Sequence, residues 1–161
     1  SAAALKKAET VKNRGTYFDF IIHKKLGDKN NTPTTPAIPI IRALNKMLNH
    51  ILNEEGAEAR YARHKKNAEL IQNRMVKLGF EMMTEEGYHS PTVCTIKNNK
   101  NMDVKAFVKA VANRGFRITD GYGTMAGKAF RISAMGEHTE KDINELIDVI
   151  ETVLKEMKII E

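Results

Sequence analysis

Arg131 is the residue whose placement most directly suggests chemistry. Along Phe130-Arg131-Ile132-Ser133-Ala134, successive side chains of a strand point to opposite faces, so Phe130, Ile132 and Ala134 share one face while Arg131 and Ser133 share the other. A guanidinium in that position meets water, pairs with an internal carboxylate, or awaits an incoming anion. Its planar fork suits a carboxylate held by two parallel hydrogen bonds. The preceding loop, Asp120-Gly121-Tyr122-Gly123-Thr124-Met125-Ala126-Gly127-Lys128, contains three glycines. They would let backbone approach a ligand closely, or simply form a long turn. A second polar concentration, Asn31-Thr32-Pro33-Thr34-Thr35-Pro36, stands just before a helix. Hydroxyls and amides near a helix N-terminus suit a phosphate, and equally suit an ordinary cap and turn.

Other chemistries lack their residues. His23, His50, His64, His89 and His138 show no paired ligand spacing, and Cys94 has no second thiol, so no metal site is expected. Neither a GxxxxGK phosphate loop nor a GxSxG nucleophile elbow is present. Cys94 lies in an apolar strand pattern and reads as a small buried residue rather than a nucleophile.

The elements that must position these groups follow from periodicity. Residues 2–12 suit a short helix with a thin apolar stripe, and Tyr17-Phe18-Asp19-Phe20-Ile21-Ile22 is too apolar to be left in water. Glycines, asparagines and prolines make 27–36 a loop. From Pro39, the residues Ile40, Ile41, Leu44, Met47, Leu48, Ile51 and Leu52 recur at helical spacing and predict a broad face against a core, ending at Gly56. A second helix over 57–79 carries Arg60, Arg63, His64, Lys65 and Lys66 among Glu58 and Glu69, which reads as a solvated face. Short strands are expected at Phe80-Met83, Pro91-Ile96, Phe116-Ile118 and Ala129-Ala134. Asp103 caps a helix that stops at Gly115, and Thr139 caps a last helix with Asp142 as its capping-box acid. The order predicts an α+β fold, a small antiparallel sheet with helices packed on one face.

Length and composition agree with one globular body. The chain has 161 residues, 42% hydrophobic and 29% charged, enough to bury a core without a disulfide staple. The formal charge of +6 could attract nucleic acid, but aromatics make up only 6% and Trp is absent, so no nucleic-acid partner is expected. No apolar run is long enough to span a bilayer and no secretory signal opens the chain, so no membrane partner is expected. A single cysteine fits a reducing, cytoplasmic compartment.

One ordered series gathers these pieces. Asn31-Thr32-Pro33-Thr34-Thr35-Pro36-Ala37-Ile38-Pro39, Glu54-Glu55-Gly56, Arg63-His64, Ala68-Glu69, Ser90-Pro91-Thr92-Val93, Gly121-Tyr122-Gly123, Gly127-Lys128, Phe130-Arg131-Ile132 and Met135-Gly136-Glu137 resemble the C-terminal part of class V aminotransferases dependent on pyridoxal 5′-phosphate. Those of the alanine–glyoxylate, serine–pyruvate and aspartate types are the nearest in pattern. The resemblance implies that Arg131 binds the substrate α-carboxylate. It implies that Thr35, with Thr32 and Asn31 as further candidates, contacts the cofactor phosphate of the neighbouring subunit in a homodimer. It also implies the small domain of a fold type I enzyme at 37–161, with 1–36 as an inter-domain segment. The reaction implied moves an amino group between an amino acid of alanine, serine or aspartate type and a 2-oxo acid such as glyoxylate or pyruvate. The family's cofactor-bearing lysine, pyridine-nitrogen aspartate and ring-stacking residue have no counterpart here, so the chain reads as a C-terminal fragment, inactive alone. The alternatives are another enzyme on the same scaffold, such as phosphoserine aminotransferase or cysteine desulfurase, or a stand-alone basic binding module. Cys94 in a strand does not suit a desulfurase, which needs its cysteine in a mobile loop.

Overall fold

The computed structural model describes residues 1–161, which divide into two units, Ser1–His50 and Ile51–Glu161. In the first, α1 (Ala2–Glu9) and α2 (Phe20–Gly27) touch each other and are followed by α3 (Ile38–Asn49). Asp19 starts α2 by accepting hydrogen bonds from the amides of Ile21 and Ile22, donors that the first turn would otherwise leave unsatisfied. Arg14 donates to the same carboxylate at 2.9 Å and to the carbonyl of Val11 at 2.9 Å. That guanidinium holds the Asp19 carboxyl below its usual range, against the opposing effect of burial.

Two expectations for this unit are overturned. Tyr17-Ile22 is not withdrawn from water: Phe18 is 77% exposed, and Tyr17, Phe20 and Ile22 are exposed as well. The apolar face of α3 does not lie against a core either, with Ile40 70% exposed and Ile41, Leu44, Met47 and Leu48 open beside it. Periodicity identifies which side chains share a face, but the covering surface must come from elsewhere, and these residues have none. A π-helix, His50–Glu55, follows α3, and its Leu52 is also exposed.

The second unit carries the core. Gly56, with φ of 86°, turns the chain into α4 (Ala57–Lys77), a backbone conformation that a side chain would strain. Then come β1 (Val93–Lys97), α5 (Val104–Ala112), β2 (Thr119–Asp120), β3 (Ala129–Ser133) and α6 (Glu140–Glu156). The strands form an antiparallel sheet in the order β1-β3-β2, pairing Cys94 with Ile132 and Ile96 with Phe130. Those four side chains are buried, and α4, α5 and α6 cover them, so the helical layer lies on one face as expected. Phe130 sits edge-on to Phe80 and Phe107, with ring centroids 5.4 and 5.2 Å away. On α6, Ile143, Leu146, Ile147, Ile150, Val153 and Leu154 form the buried stripe. Each withdrawn aliphatic side chain is worth about 1.5–3 kcal/mol. The capping box is present: Asp142 N donates to Thr139 Oγ1 at 3.3 Å, and Thr139 N donates to Asp142 Oδ2 at 2.7 Å.

Two expected strands differ. Phe80-Met83 forms only a bridge at Met82 opposite Ile96, tied by Met83 N to Thr95 O at 2.9 Å. Phe116-Ile118 lies outside the ladder, and pairing begins at Thr119. Local β-propensity marks apolar extended chain, whereas a ladder also needs a partner in register.

Candidate functional site

Arg131 occupies the middle strand, opposite Thr95 of β1 and Thr119 of β2. Its neighbours Phe130 and Ile132 enter the core, so Arg131 stands half-buried on the face that the helices leave open. Its Nε donates to the carbonyl of Asp120 at 2.9 Å, while its two Nη nitrogens have no partner within the chain. Among the arginines of this unit, Arg60, Arg63, Arg74 and Arg114 each meet a carboxylate; Arg131, like Arg117, does not. Of the three fates open to this side chain, the internal ion pair is therefore excluded. What remains is water or an incoming anion, and the fork has the geometry to take an anion through two oxygens.

The glycine-containing loop supports that arginine. Asp120 Oδ1 accepts from Gly121 N at 2.6 Å and from Gly127 N at 2.8 Å, closing the loop at both ends. Gly127 also gives its carbonyl to Asn98 Nδ2 at 2.9 Å. Gly121 is required by space rather than by torsion, since a Cβ there would lie 2.0 Å from the carbonyl oxygen of Met125.

The phosphate candidates belong to the other unit, in the stretch between α2 and α3. Asn31 Oδ1 accepts from Thr32 N at 2.8 Å, and Thr32 Oγ1 donates to Thr34 O at 2.8 Å. The Thr35 hydroxyl is exposed and makes no hydrogen bond within the chain.

A charged cluster escaped sequence reasoning. The basic face of α4 is not simply solvated: Arg60 reaches Glu55 at 2.9 Å and Glu137 at 2.6 Å. Arg63 meets one Glu55 oxygen through Nε at 2.8 Å and Nη2 at 2.6 Å, of which only the Nε contact has hydrogen-bond geometry. Its Nη1 donates to Gly136 O at 2.7 Å, and Asn67 donates to His138 O at 2.9 Å. The turn after β3 is thereby tied to α4. Partial burial works to raise the Glu55 carboxyl, but the hydrogen bonds from Arg63 and Arg60 outweigh it and hold the group below its usual range. Glu55 stands only 5 and 8 residues from Arg60 and Arg63 and carried a local signal, whereas Glu137, 77 residues from Arg60, carried none.

Cys94 is buried beneath α4, with its sulfur 3.6 Å from Ala68 O. Burial pushes the thiol up to about 11, against a weak opposing hydrogen bond from Gln72. No helix is long and apolar enough to cross a membrane.

Solved aminotransferase structures of fold type I share this arrangement of a three-stranded antiparallel sheet under a helical layer. No family model matches the chain. It is 32% identical over 145 residues to an uncharacterized aminotransferase of Methanocaldococcus jannaschii, covering 89% of this chain and 37% of that protein. It is 31% identical over 117 residues to a 2-aminoethylphosphonate–pyruvate transaminase of Phocaeicola vulgatus, covering 72% of this chain and 32% of that protein. The crystal structure of alanine–glyoxylate aminotransferase from Nostoc sp. superposes with a TM-score of 0.85 at 28% identity, over 96% of this chain and 42% of that one. The relatives and structural neighbours are thus class V aminotransferases, and the chain matches one part of them, spanning less than half their length.

Proposed function

We propose that this chain is the C-terminal part of an aminotransferase dependent on pyridoxal phosphate, and that Arg131 grips the substrate carboxylate. The observation that carries the reading is the unpaired guanidinium on the open sheet face, its Nε held by Asp120 O at 2.9 Å. An amino acid and its 2-oxo acid partner both present a carboxylate beside the reacting carbon, so one bidentate contact orients either substrate. The printed names of the relatives, with pyruvate or glyoxylate as acceptor, support a small 2-oxo acid here. For the donor we propose an amino acid of alanine, serine or aspartate type, which the name alanine–glyoxylate aminotransferase supports for alanine, while the Phocaeicola relative's donor is 2-aminoethylphosphonate.

Thr35 fits a phosphate contact, because its hydroxyl is exposed and uncommitted. Asn31 still has its side-chain N–H groups to give, whereas the Thr32 hydroxyl already donates to Thr34 O. Thr35 is therefore the principal donor and Asn31 a secondary one, serving a cofactor held by the neighbouring subunit of a homodimer. When bound, pyridoxal phosphate supplies the electron sink that lets the substrate α-proton leave. The lysine that carries it lies outside this chain in this reading, so the 161 residues alone are inactive. Residues 1–36 serve as the inter-domain segment and 37–161 as the small domain. The uncovered apolar residues Phe18, Ile40, Ile41 and Leu44 support a larger body around them, and the buried, unpaired Cys94 suits a reducing cytoplasm.

Replacing Arg131 in the full-length protein tests the proposal. Arg131→Ala is expected to lower kcat/KM by about a hundredfold or more while the cofactor absorbance stays unchanged. Near-normal transamination by that variant removes Arg131 from the site.

A further inference from the structure

We infer that Asp120 is the positioning residue of Arg131, an inference that rests on the reading of Arg131 as the carboxylate-binding residue. A guanidinium on a flexible stem binds both oxygens of a carboxylate well only when its plane is fixed beforehand. The contact between Nε and Asp120 O at 2.9 Å fixes that plane and leaves both Nη nitrogens for the ligand. The carbonyl making this contact is itself located from several directions. Asp120 pairs with Phe130 across the ladder, and the next residue's amide, Gly121 N, donates to Ala129 O at 2.9 Å. The Asp120 side chain then folds into the loop, where Oδ1 takes the amides of Gly121 and Gly127 at 2.6 and 2.8 Å.

The same arrangement disposes of a conflict. Asp120 is the acidic residue held beside Arg131, and a carboxylate turned toward the guanidinium would compete with substrate. Here it is engaged by two backbone amides and makes no ion pair with Arg131. The role therefore calls for a side-chain oxygen of the right reach rather than for a negative charge. Gly121 belongs to the same device, since any Cβ would collide with the Met125 carbonyl at 2.0 Å and force the loop open.

The test uses the full-length protein with pyruvate as acceptor, comparing Asp120→Ala, Asp120→Asn, Gly121→Ala and Arg131→Ala. Amide hydrogen exchange over 120–128 is read alongside KM and kcat. Asp120→Ala is expected to raise KM for pyruvate about tenfold, leave kcat within about twofold, and speed exchange across the loop. Gly121→Ala is expected to behave alike. Asp120→Asn keeps the acceptor oxygen and is expected to stay within about twofold of the parent in KM. An unchanged KM in Asp120→Ala, beside a raised KM in Arg131→Ala, overturns the role of Asp120 and leaves that of Arg131 standing. Equal damage from Asn and Ala overturns it too, because charge rather than loop geometry would then be at work. A near-normal kcat/KM in Arg131→Ala removes the underlying reading and this inference with it.

Discussion

The Cys94 thiol is the group whose behaviour follows most directly from burial. It is 1% exposed, and desolvation moves it from the ordinary 9.0 up to about 11, with Gln72 resisting weakly. At about pH 8 that displacement leaves roughly a hundredfold less thiolate than a free cysteine carries. The folded chain should therefore react with a disulfide reagent at least about a hundredfold more slowly than the denaturant-unfolded chain, and steric exclusion can only widen the gap. Stability is linked to the same proton. Below the ordinary value both states keep it. As pH rises from 9.0 toward about 11, only the unfolded chain releases it, so folding loses up to about 2.7 kcal/mol by the top of that window. Urea titrations of the parent and of Cys94→Ala, compared at successive pH values, isolate this contribution from that of lysines and tyrosines. A folded thiol that reacts as fast as the unfolded one, or a difference between the two proteins that does not change with alkaline pH, refutes the reasoning.

Two further substitutions probe the sheet and its supports. Phe130→Ala removes a fully buried ring between Phe80 and Phe107 and should cost about 3–5 kcal/mol in urea unfolding, whereas a loss below about 1 kcal/mol would show that the site collapses around the gap. Thr139→Ala deletes the α6 cap and releases Asp142, whose carboxyl is held low chiefly by the Thr139 amide and hydroxyl. It should destabilise by about 1 kcal/mol in the same measurement, and no change would mean that solvent replaces the cap without loss.

How far the fold could be read from the chain depended on whether each signal was local. The caps at Asp103 and Thr139 need only a hydroxyl or carboxylate within three residues, and both form. The alternation through Phe130, Arg131 and Ile132 is a geometric property of any strand, so the outward arginine was legible from five residues. Phe80-Met83 failed because extended apolar chain becomes a ladder only where a neighbour offers its amides in register, and Phe116-Ile118 failed for the same reason. The uncovered faces of α2 and α3 show the limit of periodicity, which says nothing about what lies opposite. Asp120 was visible only as the start of a turn. Its hold on Gly121 and Gly127 and its carbonyl beneath Arg131 join positions whose relation is set by the sheet, not by adjacency.

The bonds between Glu55, Arg60, Arg63 and the Gly136–His138 turn join α4 to the exit of β3. The helix α4 thereby anchors the turn just beyond the strand that carries Arg131.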